Sequence, residues 1–386
     1  MDTWILGGII ITPTHIMKDH IIMIHRGKIE KIEPLYQVNG QTSGVWKIDA
    51  KGLYVLPGLI DIHTHGGAGS DTMDATPQAI DVMSGFFLEH GVTSYLATTI
   101  TSSPEAIRRA IDNLNACRAT LQKTAMLGAH IEGPYLSREY KGAQPEEWLR
   151  YPDPIEYRYW LNSGIIKLIT VAPELPGVLD LIRQGVDEGV LFSVGHTNAT
   201  YQQVVEAADV GLNQSTHTFN GMRGLNHHEP GAVGAVLSDD RIYCELIADG
   251  IHIHPAILRL LVKVKGIERT ILVTDSIRAT GLGDGEYRLG DHNVVVKDGV
   301  ARTTLGGLAG STLTLNQAIK NMMRFCGLTI SQAVAMATLT PATALGISEH
   351  KGAIKPGMDA DLVLADADLD VKMAFIHGEN VFQKSI

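Results

Sequence analysis

Apolar and polar positions divide the chain into two textures. At the N-terminal end, residues 5–11, 21–24, 28–32 and 45–48 are short apolar or alternating runs, separated by turn signals such as Arg26-Gly27 and Asn39-Gly40. Residues 360–365 and 371–376 resume the same pattern near the C-terminus, with His377-Gly378 as a further turn. The run 5–11 carries no basic flank and is too short to span a bilayer, so it reads as one buried strand. A strand-rich module built from residues 1–56 and 347–386, with an α/β domain at 57–346 inserted between them, accounts for the change of texture.

Inside the insertion the period becomes helical. Thr76-Pro77 supplies an N-cap and a first-turn proline, Ile80, Met83 and Phe87 share a face, and Gly91 stops the helix. Ser103-Pro104 opens a second helix with Ile107, Ile111 and Leu114 in register. His254-Pro255 and Thr340-Pro341 open two more, the last ending near Gly346. Between helices lie strand-like segments at 58–65, 94–100, 126–132, 165–173, 191–196, 212–217, 243–249 and 270–275. Eight strand–helix units are what a (β/α)₈ barrel of the TIM type requires, and a doubly wound open sheet is the competing arrangement.

Composition narrows the chemistry. The 386 residues are 45% hydrophobic and 19% charged, an ordinary globular balance. A net charge of −10 argues against a nucleic-acid groove or a polybasic membrane patch, though not against a local anion site. Only three cysteines are present, Cys117, Cys244 and Cys326, with no Cys-x-x-Cys pair. A disulfide scaffold and a thiolate zinc finger are thereby excluded, and a soluble protein of the cytoplasm is expected. Against three cysteines stand sixteen histidines, so a metal would be held by imidazole and carboxylate.

The histidines cluster at the ends of the expected strands. In Asp61-Ile62-His63-Thr64-His65 the two-residue period of a strand points both imidazoles to one side. Other segments end in Glu132, His196, His217 and Asp275. Each taken singly reads as a satisfied core polar group. Together, four histidines and two carboxylates at one mouth of one barrel read as a metal site. An ion held this way polarises a carbonyl and acidifies water, and an aspartate beside it can move protons. Amide hydrolysis and deamination both have these requirements. Neither a Gly-x-Ser-x-Gly elbow nor a Walker-type glycine loop is present, so serine-hydrolase and nucleotide-loop chemistry lack support.

His63-Thr64-His65, the histidines ending the fifth and sixth strands, Asp275 and the closing run from Gly352 to Val363 resemble the amidohydrolase superfamily. Further blocks narrow the likeness to the N-acetylglucosamine-6-phosphate deacetylases. They are His130-Ile131-Glu132-Gly133-Pro134, Lys141-Gly142-Ala143, Val194-Gly195-His196-Thr197, His217-Thr218-Phe219-Asn220-Gly221-Met222, Ala248-Asp249-Gly250-Ile251-His252 and Leu308-Ala309-Gly310-Ser311.

The resemblance implies a metal-dependent barrel with a small β-sandwich made from both termini. It also implies hydrolysis of the acetamide of N-acetyl-D-glucosamine 6-phosphate, within amino-sugar catabolism or cell-wall recycling. Glu132, His196 and His217 would hold one divalent ion, and His63 and His65 a second, bridged by Glu132. Zinc is the first expectation, with iron, manganese and cobalt as alternatives. Asp275 would be the general acid and base. Substrate contacts would fall on Ala143, Gln144, Asn220, Gly221, His228, His252, Leu308 and Ala309.

Some positions depart from the family pattern. Gln144 stands where many members carry histidine, Gly221 where alanine is common, and His228 where some have a phosphate-binding arginine, with Arg223 a nearby alternative. The implied partner is a small phosphorylated amino sugar rather than nucleic acid or membrane, and a homodimer is expected. Two other readings are a deaminase or cyclic amidase acting on an unphosphorylated substrate, and a non-catalytic barrel subunit.

Overall fold

The computed structural model describes residues 2–37, 44–120, 126–290 and 292–384. The Asn39-Gly40 turn lies outside them. Eight parallel strands form one sheet in strict chain order: β1 Leu59–Thr64, β2 Val92–Thr99, β3 Met126–Glu132, β4 Ile166–Val171, β5 Leu191–Val194, β6 Gln214–Ser215, β7 Tyr243–Ile247 and β8 Thr270–Val273. Just beyond their ends β8 returns to β1. The Asp275 N–H donates to the His63 carbonyl at 2.9 Å, and a parallel bridge joins Thr64 to Ser276. The sheet closes as a barrel, so the open doubly wound alternative does not hold.

Helices cover the outside, which explains why these strands are apolar on both faces. Pro77–Glu89 begins as its sequence predicts, with the Thr76 hydroxyl accepting from the Ala79 N–H. In Pro104–Thr120 the apolar row Ile107, Ile111 and Leu114 is completely buried. Pro255–Lys265 also lies where expected. The last of the four helices, Leu339–Ala344, starts before the expected Thr340-Pro341 pair.

The two termini supply two further sheets. Lys28–Pro34, His20–His25, Asp2–Leu6 and Val45–Asp49 form one, in that order. Glu379–Gln383, Val371–Ile376, Leu362–Ala365, Tyr54–Pro57, Ile9–Ile11 and Ile16–Met17 form the other. They enclose a core of their own from Ile5, Ile22, Ile29, Ile48, Val55, Leu362 and Phe375. The alternate face of the larger sheet, including Leu56, Val363 and Val371, joins the barrel core. We propose residues 1–56 with 347–386 as a discontinuous domain around 57–346, a division supported by this separate core.

One expectation at the N-terminus is corrected. The run 5–11 is not one strand but the adjoining parts of two, Asp2–Leu6 and Ile9–Ile11, in different sheets. The chain changes sheet at Gly7-Gly8. Gly7 takes a φ of +74°, and a Cβ on Gly8 would lie 2.5 Å from Val55. The Arg26-Gly27 and His377-Gly378 turns form as read, both residues of each pair having positive φ, which suits tight hairpins.

A three-stranded antiparallel sheet, Gly285–Leu289, His292–Lys297 and Val300–Thr303, follows β8 and was not anticipated. It packs Leu289, Val294, Val296 and Ala301 against Ile100 and Ile277 beside the barrel mouth.

Candidate active site

The C-terminal ends of the strands bring the expected polar residues into one cluster. His63 lies within β1, His65 just beyond it, and Glu132 is the last residue of β3. His196, His217 and Asp275 were expected to end their strands. Instead β5, β6 and β8 each stop two residues earlier. All three residues adopt left-handed backbone, with φ of +46°, +28° and +49°. Such strain in non-glycine residues is concentrated at functional sites, and here it turns three side chains into the mouth.

Glu132 is the hub. Its Oε1 lies 3.2 Å from His196 Nε2, 3.0 Å from His217 Nε2 and 3.6 Å from His63 Nε2. Its Oε2 lies 3.3 Å from His65 Nε2 and accepts a 2.6 Å hydrogen bond from the Gln144 amide. Asp275 Oδ1 approaches His65 Nε2 at 3.2 Å and His63 Nε2 at 3.5 Å. Glu132, His63 and His65 are at most 3% exposed, and Asp275 is 7% exposed.

Two sets of three residues can therefore converge on an ion: Glu132, His196 and His217, and His63, His65 and Asp275. The donor chemistry fits one. His196 Nδ1 faces the Tyr140 carbonyl at 2.9 Å and must carry its proton there, which leaves a lone pair on Nε2 of the neutral ring. His63 Nδ1 faces the Glu245 carboxylate at 3.0 Å, and its Nε2, completely buried, has no hydrogen-bond partner. Lone pairs and carboxylate oxygens thus point at one another with few donors between them, an arrangement that calls for a cation.

The buried charges support one another. Burial pushes the His63 pKa down, but Asp275, Glu132 and Glu245 outweigh it and hold the ring at about 9. Burial pushes Asp275 up, and the opposing pull of His63 and His65 brings it to about 2. Glu132 also resists its burial, held well below the usual carboxylate range by His63 and by its close contacts with His196, His217 and His65. Lower in the barrel, burial raises Asp61 to about 7 against the hydrogen bonds it accepts, including the Thr274 hydroxyl at 2.6 Å.

The cavity above the cluster is lined by His65, Glu132, His196, His217 and Asp275, together with Ala143, Gln144, Asn220, Gly221, His252 and Leu308. Gln144 is fixed from both sides, because the Thr101 N–H donates to its Oε1 at 2.9 Å. The Asn220 amide donates to the His217 carbonyl at 3.1 Å, and His252 Nδ1 pairs with Asp249 at 2.7 Å. Gly221 has a φ of +60°, and a Cβ there would sit 2.8 Å from His196 Nδ1. An alanine here would crowd that ring.

Two residues expected to contact the substrate do not line this cavity. Ala309 is buried in the small core under the antiparallel sheet, and His228 is exposed beside His227. Arg223 does not line the cavity either, being engaged with Asn198 at 2.7 Å and Glu229 at 3.3 Å.

Sequence reasoning missed Glu245 and His130. Glu245, completely buried in β7, binds His63, and His130 packs edge-on to His63 while bonding Thr170 at 2.7 Å. The available signal for Glu245 was an acid in the middle of the apolar run Tyr243–Ile247.

Residues 54–381 match the amidohydrolase family. An N-acetylglucosamine-6-phosphate deacetylase of Bacillus subtilis is 38% identical over 97% of this chain and 95% of its own. An N-acetylgalactosamine-6-phosphate deacetylase of Escherichia coli O157:H7 is 38% identical over 94% and 95%. The crystal structure of the N-acetylglucosamine-6-phosphate deacetylase from Pasteurella multocida superposes with a TM-score of 0.94 at 31% identity, covering 98% of this chain and 99% of that one. With a closed barrel, a histidine–carboxylate cluster at its mouth and these relatives, the chain belongs to the amidohydrolase family and, within it, to the N-acetylglucosamine-6-phosphate deacetylases.

Proposed function

We propose that the protein hydrolyses the acetamide of N-acetyl-D-glucosamine 6-phosphate to D-glucosamine 6-phosphate and acetate. The observation that carries this reading is the convergence of Glu132, His196, His217, His63, His65 and Asp275 on one cavity in a chain of this family. Glu132, His196 and His217 are the proposed seat of one divalent ion, and His63 and His65, with Glu132 between the two, of a second. Bound there, such an ion supplies positive charge that polarises the amide carbonyl and lowers the pKa of water. Zinc is proposed. The donor set also suits iron, manganese and cobalt.

The chain's own residues then move the protons. Asp275, ionised and open to the cavity, accepts a proton from water as its oxygen adds to the acetamide carbon. The carbonyl oxygen becomes an oxyanion, for which His65 Nε2, 3.2 Å from Asp275, is a donor within reach when the seat at His63 and His65 is empty. Asp275 passes its proton to the amide nitrogen, the C–N bond breaks, and acetate and the free amine result. Gln144, Asn220, Gly221, His252 and Leu308 form the proposed sugar-binding wall, with Ala143 beside them.

The phosphate contact is proposed at His228, whose exposed segment also carries Leu225, 59% exposed. A homodimer, the commonest symmetric assembly of soluble proteins, is the proposed oligomeric state. Three unpaired cysteines support a cytoplasmic setting, and among the described residues no helix is long and apolar enough to cross a membrane. A panel of N-acetylglucosamine and N-acetylgalactosamine, each with and without 6-phosphate, tests the substrate. Acetate is expected fastest from the phosphorylated glucosamine derivative, and preference for an unphosphorylated sugar would contradict the reading.

A further inference from the structure

Glu245 occupies the third position of β7, one of five consecutive buried residues. Strand alternation puts its side chain on the same face as Ile247, which lines the catalytic cavity, so Glu245 lies in the barrel interior one layer below. It is completely buried, and no lysine or arginine pairs with it among the described residues. An isolated acid is costly in such a place, so its contacts must compensate.

Its two side-chain contacts both lead to the proposed metal ligands, while the other carboxylate oxygen, Oε1, is buried without a hydrogen-bond partner. One carboxylate oxygen, Oε2, lies 3.0 Å from His63 Nδ1 and accepts the His217 backbone N–H at 3.2 Å. The Glu245 carbonyl accepts the Thr218 N–H at 2.9 Å, which ties down the same left-handed turn from the next residue. The acid therefore grips the ring of His63 from behind and the backbone of His217 from below. With Nδ1 held by a carboxylate, the free ring nitrogen Nε2 is turned toward Glu132 and Asp275, at 3.6 and 3.5 Å.

We propose that Glu245 is a positioning residue for ion binding, its single buried carboxylate orienting the His63 imidazole and anchoring the His217 turn. This rests on the metal-dependent reading above. A carboxylate behind a ligating histidine fixes the ring's tautomer and orientation and raises its basicity, which is the general role of outer partners in metal sites. Here one acid serves a histidine from each proposed ion seat.

The test uses the full-length protein stripped of metal and titrated with cobalt(II), followed by visible absorption. Wild type is expected to bind cobalt with a resolved d–d spectrum. Glu245→Ala is expected to bind about 10- to 100-fold more weakly and to shift that spectrum, as removal of an outer partner does elsewhere. Glu245→Gln, which keeps one acceptor oxygen and the side-chain volume, is expected to fall between the two. If the alanine variant fails to fold, the glutamine variant carries the test. A folded variant with wild-type cobalt affinity and an unshifted spectrum would overturn the role of Glu245 alone. A wild-type protein that binds no cobalt would remove the metal reading, and this inference with it.

Discussion

The Nε2 atoms of His196 and His217 lie 3.1 Å apart, and both face Glu132 Oε1. These two nitrogens and that oxygen are the donor atoms of the seat proposed for one ion. His217→Ala is accordingly expected to keep its fold and lose the ion shared by Glu132, His196 and His217. Elemental analysis of dialysed protein, with circular dichroism as the folding control, checks this. Full metal content in the variant would contradict it.

Asp275 holds no ligand role in the set built on Glu132, so its charge can be removed separately. Asp275→Asn is expected to retain that ion while turnover falls by about 10²- to 10⁴-fold, the usual contribution of a positioned acid or base. Near-normal turnover, measured as acetate released per chain, would refute the role of proton carrier.

Gly221 tests the fine geometry of His196. A Cβ would sit 2.8 Å from His196 Nδ1 and 3.1 Å from the Tyr140 carbonyl, the hydrogen-bonded pair that sets this ring's tautomer. The +60° φ adds a backbone cost of about 1–2 kcal/mol for any other L-residue. Gly221→Ala is expected to lower the melting temperature and weaken metal binding together. Unchanged values for both would show that the loop relaxes freely.

The pattern of hydrophobic positions revealed a great deal of this molecule. β3 runs over Met126–Glu132 as read, and all eight barrel strands lie where apolar runs alternate with helical periods. His63 and His65 share a face because strand periodicity requires it. What periodicity could not reveal is tertiary in origin. The left-handed turns at His196, His217 and Asp275 depend on backbone partners from neighbouring strands, such as the His63 carbonyl that accepts the Asp275 N–H. Glu245 looked like any charged residue in a strand until β1 and β6 were placed beside it. His228, an expected phosphate contact, is exposed, and periodicity gives no signal for its place.

Away from the catalytic mouth, Asp359 links the two terminal segments. Burial opposes its charge, but Lys28, Lys351 and His377 outweigh burial and hold its carboxyl below the ordinary value of 3.8. The unfolded chain therefore binds this proton more readily than the folded one. The stabilisation is present above pH about 4 and is lost as pH falls through the depressed folded value. Urea unfolding of wild type and Asp359→Asn checks the sign. Wild type is expected to lose stability more steeply than the variant as pH falls from about 4 through that value, and parallel curves over this range would exclude the linkage.

Acetate release from N-acetyl-D-glucosamine 6-phosphate, measured on metal-stripped protein before and after adding zinc, decides between this account and its rivals. The stripped protein is expected to be inactive, and zinc to restore one acetate and one free amine per substrate consumed. Acetate release undiminished by metal removal, or none after reloading with any of zinc, iron, manganese or cobalt, would contradict a metal-dependent deacetylase.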